Sequence, residues 1–557
     1  MLAAVFAASL CAADTGDPWI KPDPAAMKRW QDMRFGMFIH WGPVSLTGHE
    51  IGWSRGGSLT PIDKYDNLYK EFNPTNFNAD EWAGIAKAAG MKYVVLTTKH
   101  HDGYCLFATK ETDYNIMNSP FKRDVTKELA NACRKQGIAF GAYYSVCDWH
   151  HPDFPLTGPC GGVKREKSDL DSYNRYLLAQ IRELVTNCGP LILIWNDVPQ
   201  MFGGRGKNTI KMVRELQPDI LINDRTGDGG DYDTPEQSIG GFNMKRPWES
   251  CMTLSRKDQW AWGGPKDGVK ALAPCLLMLI RAAGGDGNVL LNVGPRPDGR
   301  IDPEQASRLK EMGDWLQKYG ESIYATRGGP YMPCKHLVAT RKDNKIFVHI
   351  LNWPDDTLKL PVPAARIVKS SVLTGGKVTV KQTDAEIEIS VPAVDRKEID
   401  TIVVLELDKP AIEIEPIKVT FICKSLTTVK KAKASNVYGN DRSYDAAKAI
   451  DGDEDTRWAT DACIGPCWLE VDLDQSLTFN RAVIQECVDY GERVKAFALQ
   501  YKDNDKWKTF HTGKTIGKRL ELKFEPITAR LVRLNIADGQ GGPTINEFQL
   551  FAPPPEK

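Results

Sequence analysis

Carboxylates follow short apolar segments in the first half of the chain, where two of them could act as an acid–base pair. Asp197 closes the segment LILIWND, and Glu236 and Glu249 come later in the same half. Hydrolysis of a glycosidic bond needs one carboxyl group to protonate the leaving oxygen and a second to attack the sugar or activate water. Asp197 could instead cap a following helix, and spacing alone does not choose between the two glutamates.

Histidine and aromatic side chains cluster at the ends of other apolar segments. Six of the nine histidines precede residue 152. His40 closes one predicted strand, and His100 and His101 follow the next. Tyr143 and Tyr144 end the third. Aromatic faces cover the apolar side of a pyranose while histidines and carboxylates bond its hydroxyls, so this combination favours a sugar pocket.

Binding of a catalytic metal ion is the alternative role for these histidines. His100 and His101 are adjacent, and along an extended chain they would point in roughly opposite directions, which disfavours a shared ion. The chain contains no H-E-x-x-H motif, and no G-x-G-x-x-G follows an early strand. We therefore expect no cofactor for catalysis.

The elements that must position these groups alternate between strand and helix from Arg34 to about residue 323. Predicted strands are Phe35–His40, Tyr93–Thr98, Ala139–Ser145, Leu191–Trp195, Ile220–Asn223 and Val289–Val293. Amphipathic helices are predicted at Asp80–Ala89 with Asn78 as cap, at Leu170–Cys188 and at Pro303–Tyr319. Repeated strand–helix units predict a TIM-like (β/α)8 barrel, whose strands end at one mouth. A doubly wound open sheet is the alternative.

The pattern changes to short, alternating β-branched segments after Gly328. Segments such as Lys345–Leu351 and Thr401–Leu407 predict an antiparallel β-sandwich, and a second all-β unit begins near Ala432. We therefore expect a multidomain chain: a leader over 1–13, a catalytic barrel over 14–328, a β-sandwich over 329–408, a linker over 409–431 and a C-terminal β-sandwich over 432–553.

The charge balance and the lengths of the apolar runs exclude several classes of function. The 557 residues carry 72 basic and 72 acidic side chains, so the net charge is zero and no basic surface for nucleic acid is expected. No apolar run is long enough for a membrane span. The first thirteen residues resemble the core and cleavage site of a secretory signal peptide, although a charged start is missing, and predict export to the periplasm or medium. Cys463 and Cys467 are close enough to form a disulfide in an exported protein.

Residues 28–326 closely resemble the retaining α-L-fucosidases of glycoside hydrolase family 29. The resemblance is carried by RFGMFIHWG, KYVVLTTKHHDGYCLF, GAYYS, LIWND, INDR and GGDGNVLLNVGPRPDG followed by WLQKYGESIYATR. These stretches are spread across the whole predicted barrel. The resemblance implies an exo-acting hydrolase that removes terminal α-L-fucose from oligosaccharides or glycoproteins by double displacement.

The same resemblance implies roles for individual residues. The nucleophile of such enzymes closes the W-x-D step and matches Asp197, and the acid/base that follows an N-D-R strand matches Glu236, with Glu249 as the alternative. Retention then places the two carboxyl groups about 5–5.5 Å apart. Positions of the family's fucose pocket match a larger set: His40, His100, His101, Tyr144, Trp195 and Arg225.

One segment departs from the family pattern. Many relatives carry E-W-Y after the first strand, whereas this chain has HEIGWS, in which Glu50 and Trp53 replace the glutamate and tryptophan. This departure resembles the subgroup that acts on α-1,3- and α-1,4-linked fucose of Lewis-type glycans. An inactive glycan-binding adhesin and a glycosidase for a galactoside related to fucose are the alternative functions.

The C-terminal unit resembles the F5/8 type C (discoidin-like) domain, including carbohydrate-binding module family 32. AIDGDEDTRW and the late INEFQLF carry this resemblance. It implies a structural Ca²⁺ held by oxygen ligands, for which Asp451, Asp453, Thr456 and Glu547 are the candidates. A solvated acidic turn is the alternative.

Overall fold

The computed structural model describes residues 22–56, 59–155, 165, 167–199, 204–419, 425–428, 430–453, 456–461 and 466–553. Two compact units make up the chain, Met1–Val419 and Thr420–Lys557. The predicted leader and Cys463, with its proposed disulfide, lie outside the described residues.

The first sheet of the first unit consists of parallel strands in the spatial order β5-β4-β3-β2-β1-β7-β6. Their bounds are Phe35–Ile39 (β1), Tyr93–Lys99 (β2), Ala139–Ser145 (β3), Leu193–Asp197 (β4), Leu221–Ile222 (β5), Glu249–Thr253 (β6) and Asn288–Val293 (β7). The strands are buried almost throughout, as expected for a parallel sheet covered on both faces.

Residues 231–237 connect the two edge strands of this sheet. The Asp231 N–H donates to the Ile222 carbonyl at 2.7 Å on one side, and the Cys251 N–H donates to the Pro235 carbonyl at 3.0 Å on the other. The segment therefore takes the place of an eighth strand and closes the sheet. The predicted TIM-like barrel is confirmed, and the open sheet is excluded.

Helices surround the barrel and connect its strands. Their bounds are Pro24–Met33 (α1), Ile62–Tyr65 (α2), Ala79–Ala88 (α3), Val125–Gln136 (α4), Leu170–Asn187 (α5), Gly206–Leu216 (α6), Leu272–Gly284 (α7) and Pro303–Tyr319 (α8). The Asn78 side chain accepts the Glu81 N–H at 3.2 Å and caps α3 as predicted. Asp302 caps α8, which begins with Pro303 at a position that needs no N–H.

Alternate residues of each barrel strand pack into two separate cores. One core lies between strands and helices, and it includes Ile194 and Tyr144. The other fills the inside of the barrel and includes Phe38, Tyr143 and Trp195. In a strand, neighbouring side chains point to opposite faces, so the inward set of β4 is Leu193, Trp195 and Asp197. This parity determines which residues can reach the mouth of the barrel.

Two antiparallel sheets follow the barrel in the same unit. One has the order β12-β15-β10-β9-β8 and the other β11-β14-β13. Their strands are Arg327–Gly328 (β8), Leu337–Lys342 (β9), Lys345–Ile350 (β10), Leu358–Pro361 (β11), Ile367–Val372 (β12), Thr379–Gln382 (β13), Glu386–Ser390 (β14) and Thr401–Leu407 (β15).

The second unit is an all-β domain with its own apolar core, which includes Trp458, Phe497 and Phe548. Its strands are Lys431–Ala434 (β16), Trp458–Ala459 (β17), Cys467–Glu486 (β18), Val494–Asp503 (β19), Lys506–Gly513 (β20), Leu520–Gly539 (β21) and Thr544–Phe551 (β22). Across the described residues of both units, no helix is long and apolar enough to cross a membrane.

Candidate active site

Asp197 lies at the carboxyl end of β4, on the inward face of the strand. Its side chain is 13% exposed. Oδ2 accepts the Tyr143 hydroxyl at 2.8 Å, and Oδ1 accepts the Arg225 Nη1 at 2.9 Å and the Val198 N–H at 3.0 Å. Three donors therefore hold this carboxylate in one orientation at the barrel mouth.

Arg225 joins Asp197 to Glu236. Its Nη1 bonds Asp197, and its Nη2 donates to Glu236 Oε2 at 3.0 Å. The guanidinium is itself held by Thr234, whose hydroxyl accepts Nε at 2.9 Å and whose carbonyl accepts Nη2 at 3.0 Å. Because one planar group contacts both, the two carboxylates lie close together across the mouth.

The charge state of Asp197 follows from these neighbours. Burial alone would raise the pKa of Asp197, but the Arg225 guanidinium and the Tyr143 hydroxyl outweigh burial and hold it below its ordinary value. Asp197 is therefore ionised throughout the neutral and mildly acidic range. An ionised, fixed carboxylate is suited to attack an anomeric carbon.

The two candidate partners of Asp197 lie at different depths in the barrel. The Glu236 side chain is 42% exposed, whereas Glu249 is fully buried. Burial raises the pKa of Glu249 to about 7, although hydrogen bonds from Tyr93 and Trp195 oppose this shift. A raised pKa suits a general acid, but an acid must also reach the leaving oxygen, and only Glu236 faces the mouth.

His40 belongs to a fixed group of side chains opposite Asp197. Its Nδ1 lies 2.6 Å from Asn292 Oδ1, and Asn292 Nδ2 donates to the Trp260 carbonyl at 2.7 Å. The Trp260 ring packs on the imidazole with centroids 4.9 Å apart. Burial lowers the pKa of His40 to about 3, so the ring is neutral, carries its proton on Nδ1 and leaves Nε2 as an acceptor.

His101 lies beside Asp197, with Nε2 3.7 Å from Oδ2. Its Nδ1 bonds the Ser145 hydroxyl at 2.8 Å, and that hydroxyl donates to the Cys147 carbonyl at 2.7 Å. The single proton of Ser145 is therefore used, and His101 must donate through Nδ1. Burial lowers the pKa of His101 to about 4, so its Nε2 is a second neutral acceptor.

The expectation that His100 and His101 point in opposite directions is wrong. Their ring centroids are 4.0 Å apart. A register shift between Thr97 and Lys99 ends the regular strand, so the alternation of side chains does not continue into the two histidines. Among the described residues, no group of three or more His, Cys, Asp or Glu side chains is arranged to hold a metal ion.

The site tyrosine of the YYS segment is Tyr143, which corrects the assignment to Tyr144. Tyr143 pairs in register with Trp195 and bonds Asp197. Tyr144 points to the outer core, where its hydroxyl donates to Gln180 Oε1 at 2.7 Å. Both tyrosines are buried, so the sequence pattern does not show which of them reaches the site. Side chains alternate between the two faces of a strand, and Tyr143 lies on the same face as Ser145, which pairs with Asp197.

Glu50 positions a loop, which corrects the expectation that it bonds the sugar. Oε2 accepts the Trp260 N–H at 2.7 Å, and Oε1 accepts the N–H groups of Ala261 at 3.0 Å and Ile51 at 2.8 Å. Burial raises the pKa of Glu50, against these hydrogen bonds. The carboxyl group thus fixes the segment that carries Trp260.

Trp53 lies at the rim of the site and is 51% exposed. Its ring meets the edges of His101 and Trp149 at centroid distances of 5.4 and 5.2 Å. Trp195 is buried instead, beneath Arg225, whose guanidinium lies 4.8 Å from its ring centre. Trp149 and Trp260 were not predicted as site residues, because each lies on a loop whose path the sequence pattern does not indicate.

All four candidate calcium ligands of the second unit lie within the described residues. The Thr456 hydroxyl contacts Asp451 Oδ2 at 2.9 Å and the Asp453 carbonyl at 3.1 Å. Lys448 Nζ lies 3.4 Å from Asp451 Oδ2. Glu547 is buried on β22. Oxygen atoms of Asp451, Asp453 and Thr456 thus meet in one turn, where the Lys448 ammonium and the Thr456 hydroxyl contact the Asp451 carboxylate.

Comparison with known families decides the identity of the barrel. The model of the alpha-L-fucosidase family matches residues 7–321. The chain belongs to the α-L-fucosidase family. It is accordingly a glycoside hydrolase that acts on α-L-fucosides, and the F5/8 type C domain model matches residues 431–548 of its second unit.

Three α-L-fucosidases illustrate the likeness. The tissue enzyme of Bos taurus is 31% identical over 371 residues, which are 60% of this chain and 77% of that protein. Isoenzyme 1 of Paenibacillus thiaminolyticus is 32% identical, with a TM-score of 0.64 over 69% of this chain and 99% of that one. A Bacteroides thetaiotaomicron GH29 enzyme is 27% identical, with a TM-score of 0.63 over 70% and 97%. Its structure is of a covalent intermediate trapped with 2-fluoro-fucosyl fluoride in a glutamate-to-glutamine mutant.

Proposed function

We propose that this α-L-fucosidase removes terminal fucose with retention, using Asp197 as nucleophile and Glu236 as acid/base. The observation that supports this assignment most is the Asp197–Arg225–Glu236 bridge, which brings two carboxylates to one mouth. The covalent intermediate of the Bacteroides relative supports double displacement. In the first step, Asp197 bonds the anomeric carbon while Glu236 gives its proton to the leaving oxygen. In the second, Glu236 takes a proton from water while the water oxygen bonds the anomeric carbon and the ester bond to Asp197 breaks.

Arg225 supports both halves of this cycle. Asp197 loses its negative charge when it forms the glycosyl ester, and Glu236 gains one when it gives up its proton. The guanidinium contacts both groups, so a counter-charge is present wherever the negative charge resides. Burial opposes the charge of Arg225, but the two acids raise its pKa well above the ordinary value, and it stays a cation throughout.

The neutral imidazole rings of His40 and His101 would accept hydrogen bonds from hydroxyl groups of the sugar. His40 and His101 each have their Nδ1 proton committed to Asn292 or Ser145. Their Nε2 atoms would accept hydrogen bonds from hydroxyl groups of a bound pyranose.

We further propose a preference for α-1,3- and α-1,4-linked fucose. It is supported by the HEIGWS segment and by the exposed ring of Trp53, which packs edge-to-face on the buried Trp149 beside the mouth. A branched glycan presents a second sugar next to the fucose, and an aromatic ring would stack on it.

A panel of oligosaccharides with α-1,2, α-1,3, α-1,4 and α-1,6 fucose, with product masses as readout, tests this proposal. We expect α-1,3 and α-1,4 fucose to be released at least about 10-fold faster than the others. Trp53→Ala should remove that difference while turnover of an aryl fucoside stays within about threefold, because the aryl group does not need the second sugar site. Hydrolysis of aryl fucosides alone, or equal rates on all linkages, would contradict the preference.

We propose that the second unit holds a structural Ca²⁺ and contacts glycans, as its domain family suggests. Asp451, the Asp453 carbonyl, Thr456 and Glu547 would hold the ion. Thermal unfolding should then show a transition of this unit that moves up by about 5 °C on adding Ca²⁺ to chelator-treated enzyme. Asp451→Asn should abolish the shift, and the barrel transition should not respond. An unchanged transition, or an equal response to Mg²⁺, would indicate a solvated acidic turn instead.

A further inference from the structure

Glu249 lies at the floor of the barrel, away from the proposed chemistry. It is the first residue of β6, whereas Asp197 is the last residue of β4. Catalytic groups of such barrels project from the carboxyl ends of strands. The Glu249 side chain is completely buried, and a buried carboxyl group that does not touch substrate must have another reason to be there.

Two donors from the barrel interior hold the Glu249 carboxyl group. The Tyr93 hydroxyl donates to Oε2, and Trp195 Nε1 donates to Oε1 at 3.2 Å. Gly36 leaves the room that Tyr93 occupies, since a Cβ at Gly36 would lie 2.5 Å from the tyrosine ring. The absence of a side chain at Gly36 thus lets the Tyr93 ring take the position from which its hydroxyl reaches Glu249.

Trp195 connects the floor to the catalytic groups above it. Its ring supports the Arg225 guanidinium at 4.8 Å. On another side it stacks against Tyr143, with centroids 5.5 Å apart and planes 20° apart. Arg225 and Tyr143 each donate to Asp197. An indole has one polar atom, so a hydrogen bond at Nε1 fixes which way the ring faces, which apolar packing alone does not do.

We propose that Glu249 is a positioning residue that fixes the Trp195 indole and, through it, the Arg225 and Tyr143 donors around Asp197. This inference rests on the proposed roles of Asp197 and Glu236. Glu249 itself exchanges no proton with the substrate. It sets the orientation of a ring on which two donors to the nucleophile rest.

A double-mutant cycle between Glu249 and Trp195 tests this. Glu249→Leu removes the acceptor, and Trp195→Phe removes the donor but keeps an aromatic ring. Each should lower kcat by about 10–100-fold, the cost of a displaced catalytic group. Because both break one interaction, the double variant should be no slower than the slower single variant. Glu249→Gln keeps a carbonyl acceptor and should recover most of the rate.

Three readouts separate positioning from acid/base or merely structural roles. The loss should be the same for activated aryl fucosides and for disaccharides, and azide should yield no fucosyl azide. The charged and titratable groups that face Asp197 are Arg225, Tyr143 and His101, and Arg225 also faces Glu236. If Arg225 is held less firmly, the pKa of Asp197 rises. The acid limb of the kcat/KM profile should therefore move to higher pH. Tyr144→Phe, which removes a buried hydroxyl outside the site, is the matched control for folding and should retain the parent rate.

Two results would contradict a positioning role for Glu249. Losses that multiply in the double variant, or an acid limb that does not move, would overturn the inference. If Glu249→Leu does not fold, Trp195→Phe must by itself lower kcat and move the acid limb to higher pH while Glu249→Gln keeps most of the rate, and failure of either result would overturn the inference. Wild-type enzyme that releases no fucose would contradict the proposed function instead, so the two failures are distinguishable.

Discussion

Asp197→Ala is expected to lower kcat on α-L-fucosides by about 10⁴-fold or more, because no other group can form the glycosyl ester. Fucose binding should persist, since His40, His100 and His101 are unaffected by the change. Steady-state kinetics with an aryl fucoside and calorimetric titration with fucose measure the two effects. Asp219→Ala is the matched control: Asp219 pairs with Arg29 on the surface, and its loss should leave kcat unchanged.

Azide adds a stereochemical test of the same variant. The space vacated by the Asp197 side chain would admit azide opposite the leaving group, and attack from there gives the β-fucosyl azide. Recovery of turnover with this inverted product is expected. Parent-rate hydrolysis by Asp197→Ala would remove Asp197 from the mechanism, and formation of the α-azide would assign it the other carboxylate role.

Glu236→Gln is expected to lower kcat/KM on a fucosylated disaccharide by about 10²–10⁴-fold, the usual contribution of a general acid. An aryl fucoside with a very acidic phenol needs little protonation, so its first step should be almost unaffected. The glycosyl-enzyme should then accumulate, since water lacks its base. The basic limb of the pH profile, which reports loss of the acid's proton, should disappear.

The product with azide distinguishes Glu236 from the nucleophile. Azide needs no base and would attack the glycosyl-enzyme from the side of the departed group, giving the α-fucosyl azide. Glu249→Gln under the same conditions is the matched control and should give no azide product. Equal losses on both substrates with no azide product would show that Glu236 is not the acid/base, and the same azide product from Glu249→Gln would transfer the role to Glu249.

The barrel was predictable because apolar residues recur at clearly different spacings in its strands and in its helices. Helix α8 was predicted at its observed bounds, and β3 likewise. The missing parts were β6, which reads ESCMT, and the closing segment 231–237, which contains two aspartates and a proline. Neither has the apolar run of a buried strand, because each carries polar groups into the barrel interior.

The site was predictable to the level of strand ends but not of side-chain direction. Tyr143 and Tyr144 are equally buried, so only register with Asp197 separates them. Glu50 bonds the backbone of Trp260, a contact between distant loops that sequence spacing does not encode. The bulge that ends β2 brings His100 and His101 together, and nothing in TTKHH signals it.

The most direct test of the double-displacement account is to trap the covalent intermediate and locate it. In a 2-fluoro-fucosyl fluoride, the fluorine at C2 destabilises the positively charged transition states of both steps, but the fluoride leaving group keeps the first step fast enough for the intermediate to accumulate. Wild-type enzyme treated with it, digested and analysed by tandem mass spectrometry should carry one fluorofucosyl group, on Asp197. A label on Glu236, on Glu249 or on no residue of an enzyme that turns over fucosides would contradict the account.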